Sequence, residues 1–264
     1  ITVDCPIIIG DGLKGTDDVA VPVVGGEYVD KAFIGRAVMD ADIFISLSHF
    51  KGHESAGFGG AIKNIGMGCG SRAGKRAQHC NGQPTVNEKK CRGCRLCMRE
   101  CANEGLVFNP ETRKMHINPE TCVGCGRCIG ACNFDAIRYR EDAAVEELNY
   151  RMAEYAKAVL DGRPHFHITI VRDISPKCDC HGCNDVPILP DVGMFASFDP
   201  VALDLACAEA VNAQPVIPNS KLGKANRPDL DNLTGDFPHT SWRSQIEHAK
   251  KIGLGEDFYE LVTI

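Results

Sequence analysis

Cys91-Arg-Gly-Cys94-Arg-Leu-Cys97-Met-Arg-Glu-Cys101 and Cys122-Val-Gly-Cys125-Gly-Arg-Cys128-Ile-Gly-Ala-Cys132 share one spacing, C-x2-C-x2-C-x3-C. Four thiolates must converge on a [4Fe–4S] cube from tetrahedral directions, and two-residue gaps let a short coil present three sulfurs to one face. The fourth Cys of each run ligates the other cluster in two-cluster modules. The spacing therefore assigns Cys91, Cys94, Cys97 and Cys132 to one cube, and Cys122, Cys125, Cys128 and Cys101 to the other. A zinc ribbon needs only four ligands in paired C-x2-C units, so a third Cys at the same step, repeated, is surplus to it. A disulfide framework requires an oxidising compartment and gives no reason for the internal repeat.

Working outward, residues 88–140 hold ten Lys/Arg against six Asp/Glu, or +4, which leaves −10 on the rest of a chain whose net charge is −6. Each oxidised cube with its thiolates carries about −2, so two cubes bring this segment close to neutrality. The arginines inside the runs thus read as local compensation for the clusters. An acidic chain without a long basic stripe argues against nucleic acid as a partner. No uncharged apolar run approaches the length of a membrane span. Ile1-Thr-Val-Asp4 lacks a basic leader, and the absence of an initiator Met points to a processed or truncated chain. Iron–sulfur cubes imply a reducing setting, and the expected localisation is cytoplasmic.

Around the runs, Ile1 to Ile9 and Ile43 to Leu47 read as buried strands, and Tyr28 to Met39 as a helix. Val145, Leu148, Met152, Tyr155, Ala156 and Val159 recur at helical steps before Gly162 and Pro164. Phe166 to Val171 and Val192 to Phe198 read as strands. Asp199-Pro200 supplies an N-cap and first-turn proline for a helix over 201–211, and a last helix spans 240–252. The expected architecture is an α/β host domain, residues 1–84 plus 141–264, interrupted by a small α+β module at 85–140 that resembles a bacterial two-[4Fe–4S] ferredoxin. Ala102 and Asn133 stand where the ferredoxin pattern usually has proline, which adds an N–H near each fourth cysteine. Each run should sit under a short helix and a small hairpin.

Three further segments carry chemistry. Cys178-Asp-Cys180-His181-Gly-Cys183 gathers soft ligands for a third metal or iron–sulfur site, with Cys5, Cys69, Cys80 and His79 as partners from elsewhere; it reads equally as a tight turn or a redox-labile thiol pair. Ser48-His-Phe-Lys-Gly-His53 follows a strand, where α/β sites gather, and makes His49, Lys51 and His53 catalytic candidates. Gly57 to Gly70 is dense in glycine, as an anion-binding nest or a turn-rich connection would be, and contains the candidate Lys63. Arg72, Lys75 and Arg76 downstream read as contacts for a carboxylate or phosphate.

Ser48-His-Phe-Lys-Gly-His53, Gly59-Gly-Ala-Ile-Lys-Asn64, Cys178-Asp-Cys180, Asp191-Val-Gly193 and Ser197-Phe-Asp-Pro-Val-Ala-Leu-Asp204 resemble a family of bacterial and archaeal iron–sulfur centre proteins, the domain of unknown function 362. The resemblance implies an α/β domain interrupted by a ferredoxin-type module and two bound [4Fe–4S] clusters. It supplies no substrate. The expected function is relay of single electrons to or from a site in the host domain, with a redox protein or small molecule as partner. An electron carrier or docking subunit without its own catalysis, and an assembly or sensor protein, are the alternatives.

Overall fold

The protein was analysed as a computed structural model that describes residues 5–79, 84–122, 127–139, 143–182 and 184–264. A three-stranded sheet carries the functional loops: His165–Val171 lies in the middle, parallel to Phe44–His49 and antiparallel to Gly193–Ser197. In the parallel register His165 faces Phe44 and Ile170 faces His49, so the chain leaves both strands at the same end of the sheet. Helices Ala61–Cys69 and Pro200–Asn212 pack against this sheet. The sheet is unusual in its polarity. Ser46, Ser48, His167 and Thr169 are buried, and Ser46 Oγ meets His167 Nδ1 at 2.9 Å, whereas Ile43, Ile45, Leu47 and Met194 are exposed. The expectation that Ile43 to Leu47 is buried thus fails for its outer face. Small hydroxyls bring the strand close to the core; Ser46 is paired with His167 there, whereas Ser48 Oγ and Thr169 Oγ1 have no hydrogen-bond partner among the described residues.

The main core joins Ile34, Phe50, Phe58, Ile62, Ile65, Val159, Val201 and Trp242. Phe50 stacks on Phe58 with centroids 4.8 Å apart, and Trp242 meets Phe58 edge-on at 6.0 Å. The long helix Ala143–Leu160 crosses Ala61–Cys69 at Gly66, where an added Cβ would lie 2.0 Å from the Met152 carbonyl oxygen. Only glycine permits that approach. The helix Pro200–Asn212 starts as expected: Asp199 Oδ1 accepts from Val201 N at 2.7 Å and Ala202 N at 3.0 Å, and proline takes the first turn. The C-terminal helix runs Trp242–Lys251.

Two readings of the N-terminal part are corrected. Of the strand expected over 1–9, residues 1–4 lie outside the described residues, and the rest forms no strand and exposes Ile7, Ile8 and Ile9. The helix expected over 28–39 is instead a strand, Lys31–Gly35, paired antiparallel with Asp18–Pro22, followed by one helical turn, Arg36–Met39. Ala32 and Ile34 point inward in alternation and are fully buried. A period of two imposed by strand pairing overrode the helical spacing of Phe33, Ala37 and Val38.

In the segment that carries the cysteine runs, strand Pro84–Val86 pairs antiparallel with Ile137–Tyr139, so Pro84 lies opposite Tyr139. Between them, Leu106–Asn109 and Lys114–Ile117 form a hairpin, and the turns Leu96–Arg99 and Arg127–Gly130 follow the first cysteines of each run. Among the described residues only the first run has its own hairpin. The strand after the second run pairs back to the start of the segment instead.

Candidate functional site

The small core of this segment mixes thiols with apolar side chains. Cys91, Cys97 and Cys128 are buried among Leu106, Met115, Ile129, Ala136 and Ile137, with Cys101 and Cys132 packed against them. Burial raises the Cys97 thiol to about 11, and Cys132, Cys94 and Cys91 add to the shift, so Cys132 of the second run lies in the electrostatic reach of the first. Backbone N–H groups reach the fourth thiol of each run at the same offset: Gly105 N to Cys101 Sγ at 3.1 Å and Ala136 N to Cys132 Sγ at 3.3 Å. Each of these donors stands four residues after its cysteine. Met115 N also donates to Cys91 Sγ at 3.4 Å. Soft thiols gathered in one small core and supplied with N–H donors fit iron–sulfur ligation. Cys125 lies outside the described residues.

The host side begins at the loop after strand His165–Val171. Cys178 is buried and Cys180 exposed, and their sulfurs lie with a His53 nitrogen within 4.8 Å of one another. Gly52 makes the meeting sterically feasible. A Cβ there would sit 2.6 Å from the Pro176 carbonyl oxygen, and Gly52 N instead donates to Ser175 O at 2.9 Å. His53 Nδ1 accepts two backbone bonds, from Ser55 N at 3.0 Å and Ala56 N at 3.1 Å. With Nδ1 an acceptor, the neutral ring carries its proton on Nε2. Binding an ion through Nε2 would leave the ring with no proton at all, so His53 is better suited to donate toward sulfur. Lys63 Nζ adds a second donor 3.4 Å from Cys178 Sγ. The Cys178 thiol is accordingly held far below the ordinary thiol range. The chief cause is the hydrogen bond from Cys180, with His53 and Lys63 assisting against burial, while Cys180 is pushed up in return. This pair can hold a soft ion through sulfur, or release two electrons and one proton to form a disulfide.

Behind the sulfurs lies a buried ion pair that the sequence reading missed. His181 Nε2 meets Glu54 Oε1 at 2.6 Å, with both side chains out of solvent. Burial opposes the Glu54 charge, but His53 and His181 outweigh it and bring its pKa down to about 2; the same bond raises His181. Glu54 Oε2 and His79 Nδ1 are buried without a hydrogen-bond partner. His79 is lowered to about 3 by burial and then by the positive charge of Lys63, so it is neutral.

The remaining candidates are placed apart from the sulfurs. His49 bridges Asp179 Oδ2 and Arg172 O, each at 2.8 Å, and Lys51 Nζ reaches the same carboxylate at 3.2 Å. Both therefore brace the loop through Asp179. Cys5 is exposed, and Cys69 is raised to about 11 by burial. Among the described residues neither joins a ligand group. Cys80 and Cys183 lie outside the described residues. The glycine-dense segment is no open anion nest: it forms strand Gly57–Gly59 and helix Ala61–Cys69, whose first N–H groups, at Ala61 and Ile62, are taken by Asp204 at 2.6 and 2.8 Å.

A cavity of about 510 Å³ opens in front of Cys180 and His53, with Lys63, Arg76 and His79 on the host side. Ala102, Asn103 and Arg127 form the facing wall, immediately beside Cys101 and Cys128. An added Cβ at Gly130 would lie 3.4 Å from His181, so the second run packs directly on the Glu54–His181 pair. Arg127, read from sequence as charge compensation alone, thus also faces the host. Sequence proximity gave no sign of this.

The chain resembles known proteins over part of its length. The chain is similar to the indolepyruvate oxidoreductase subunit IorA of Pyrococcus abyssi, 41% identical over 51 residues, which is 19% of this chain and 8% of that protein. The subunit of the same name from Thermococcus kodakarensis matches to the same extent. A ferredoxin of Streptomyces griseus is 34% identical over 71 residues, 27% of this chain and 62% of that protein. The chain therefore spans less than a tenth of the oxidoreductase subunits and about three fifths of the ferredoxin. Residues 1–209 match the family described as domain of unknown function (DUF362), and the chain belongs to that family.

Proposed function

We propose that this chain is an iron–sulfur redox protein that relays single electrons through two [4Fe–4S] clusters to or from the Cys178–Cys180 site of its host α/β domain. Each bound cube supplies one-electron chemistry at low potential. The chain's own residues do the rest. The two cysteine runs hold iron, and the N–H groups of Met115, Gly105 and Ala136 stabilise charge on sulfur. The hydrogen bond from Cys180, assisted by His53 and Lys63, keeps Cys178 ionised.

The observation that carries the reading is the shared cavity: residues flanking Cys101 and Cys128 form one wall, and Cys180 with His53 forms the other. Kinship with ferredoxins and with an oxidoreductase subunit supports iron–sulfur electron transfer as the general role. Anaerobic reconstitution should yield about eight irons per chain with matching acid-labile sulfide, and an EPR signal on reduction. Four irons or fewer with stoichiometric zinc would refute it. Cys178→Ser should leave iron content and EPR signal intact and abolish turnover with the physiological acceptor. Full turnover by that variant would favour a carrier that docks a partner without chemistry of its own.

A further inference from the structure

We infer that the cavity between the cysteine runs and the Cys178–Cys180 loop is a binding site for a small oxyanion, a carboxylate or phosphate that also carries a hydroxyl. The inference rests on the redox reading above and names the class of molecule that the site would take. Three observations carry it.

The first is an excess of cations. Lys63, Arg72, Lys75, Arg76 and Arg127 line the cavity against one carboxylate, Glu54. Glu54 is already balanced by His181 at 2.6 Å. Among the described residues none of the five cations is in an ion pair. Lys75 is occupied with the carbonyls of Gly68 and Gly70, and Lys63 with Cys178, which leaves the three guanidinium groups. In a chain of net charge −6, such a concentration in a concavity focuses a positive field on its interior. Guanidinium forks match the paired oxygens of carboxylate and phosphate.

The second observation is the unpaired polar atoms. Glu54 is 1% exposed and lines the cavity together with His79; among the described residues neither Glu54 Oε2 nor the buried His79 Nδ1 has a partner. A ligand hydroxyl donating to Glu54 would remove a cost that the protein otherwise bears alone. The third is size. About 510 Å³ is the size of a small-molecule pocket. The anion would lie against Cys180 on one side and the flank of Cys101 on the other, where an electron or proton can be exchanged.

The test uses the full reconstituted chain, titrated calorimetrically with inorganic phosphate, malonate and malate at constant ionic strength, with chloride as the control. One saturable site per chain is expected, tighter for malate than for malonate if Glu54 accepts the hydroxyl. Saturation by phosphate alone assigns the phosphate class, and by malate or malonate alone the carboxylate class. Arg76 is exposed on helix Arg72–His79, so Arg76→Ala should fold, and should weaken binding by about tenfold, with Arg76→Lys between. Absence of saturation below about 10 mM, or equal heats with chloride, or unchanged binding in Arg76→Ala, would overturn the inference. Iron content and EPR on the same samples separate the two readings: normal clusters without anion binding refute the pocket alone, and anion binding without clusters refutes the relay alone.

Discussion

Glu54 and His181 show how a buried charge pair can fix a site that neither residue type announces. Glu54 follows His53 directly, and His181 follows Cys180, so each neighbour of the sulfur site is clamped to the other at 2.6 Å. The folded pKa of His181 is raised, so its contribution to stability is complete below 6.5 and is lost as pH rises through the folded value. Glu54 is depressed, so its contribution is complete above 4.5 and is lost as pH falls toward 2. Urea unfolding across pH should therefore show this pair contributing fully between about 4.5 and 6.5. Glu54→Gln should lower stability by about 3–5 kcal/mol and remove the alkaline slope that His181 causes. A variant with the parental pH profile would show that the pair is not ionised. Asp204 poses a separate test, because its two oxygens accept from Ala61 and Ile62. Asp204→Asn keeps one acceptor and turns an NH2 group toward an N–H, so a loss of about 1–3 kcal/mol in urea unfolding is expected.

At the scale of elements, legibility in the sequence followed how strongly a local signal matched its tertiary setting. The helix Ala143–Leu160 and the capped helix Pro200–Asn212 were readable because their apolar spacing and Asp199-Pro200 signals agree with their packing. The strand Lys31–Gly35 was not, since its partner Asp18–Pro22, and not its own periodicity, decides its state. Nor was the inward face of Phe44–His49, where serines take the positions that aliphatic residues occupy in an ordinary core. The glycine-dense stretch misled for a related reason: its glycines serve contact between elements, which no single segment encodes. Gly66→Ala tests that statement. The new methyl must displace the Met152 backbone, and a loss of about 1–3 kcal/mol in stability is expected, with iron content per folded chain unchanged. Stability equal to the parent would mean that the two helices cross elsewhere.

On the scale of the whole molecule, the cysteine repeat points to iron–sulfur binding, whereas the proposed electron path depends on long-range packing. Cys178 lies 46 residues beyond Cys132, and no spacing rule links them. What joins them is the seating of Gly130 on His181 and the cavity shared by Arg127 and Cys180. No helix among the described residues is long and apolar enough to cross a membrane. Arg127, one of the arginines of residues 88–140, also lines the cavity. An anomalous-scattering map of anaerobically grown crystals at the iron edge tests the central claim most directly. The account predicts two four-iron peaks, one bounded by Cys91, Cys94, Cys97 and Cys132, the other by Cys101, Cys122, Cys125 and Cys128 and adjoining the cavity at Ala102 and Arg127. A single zinc ion in each run, or iron confined to the Cys178–Cys180 loop, would contradict it.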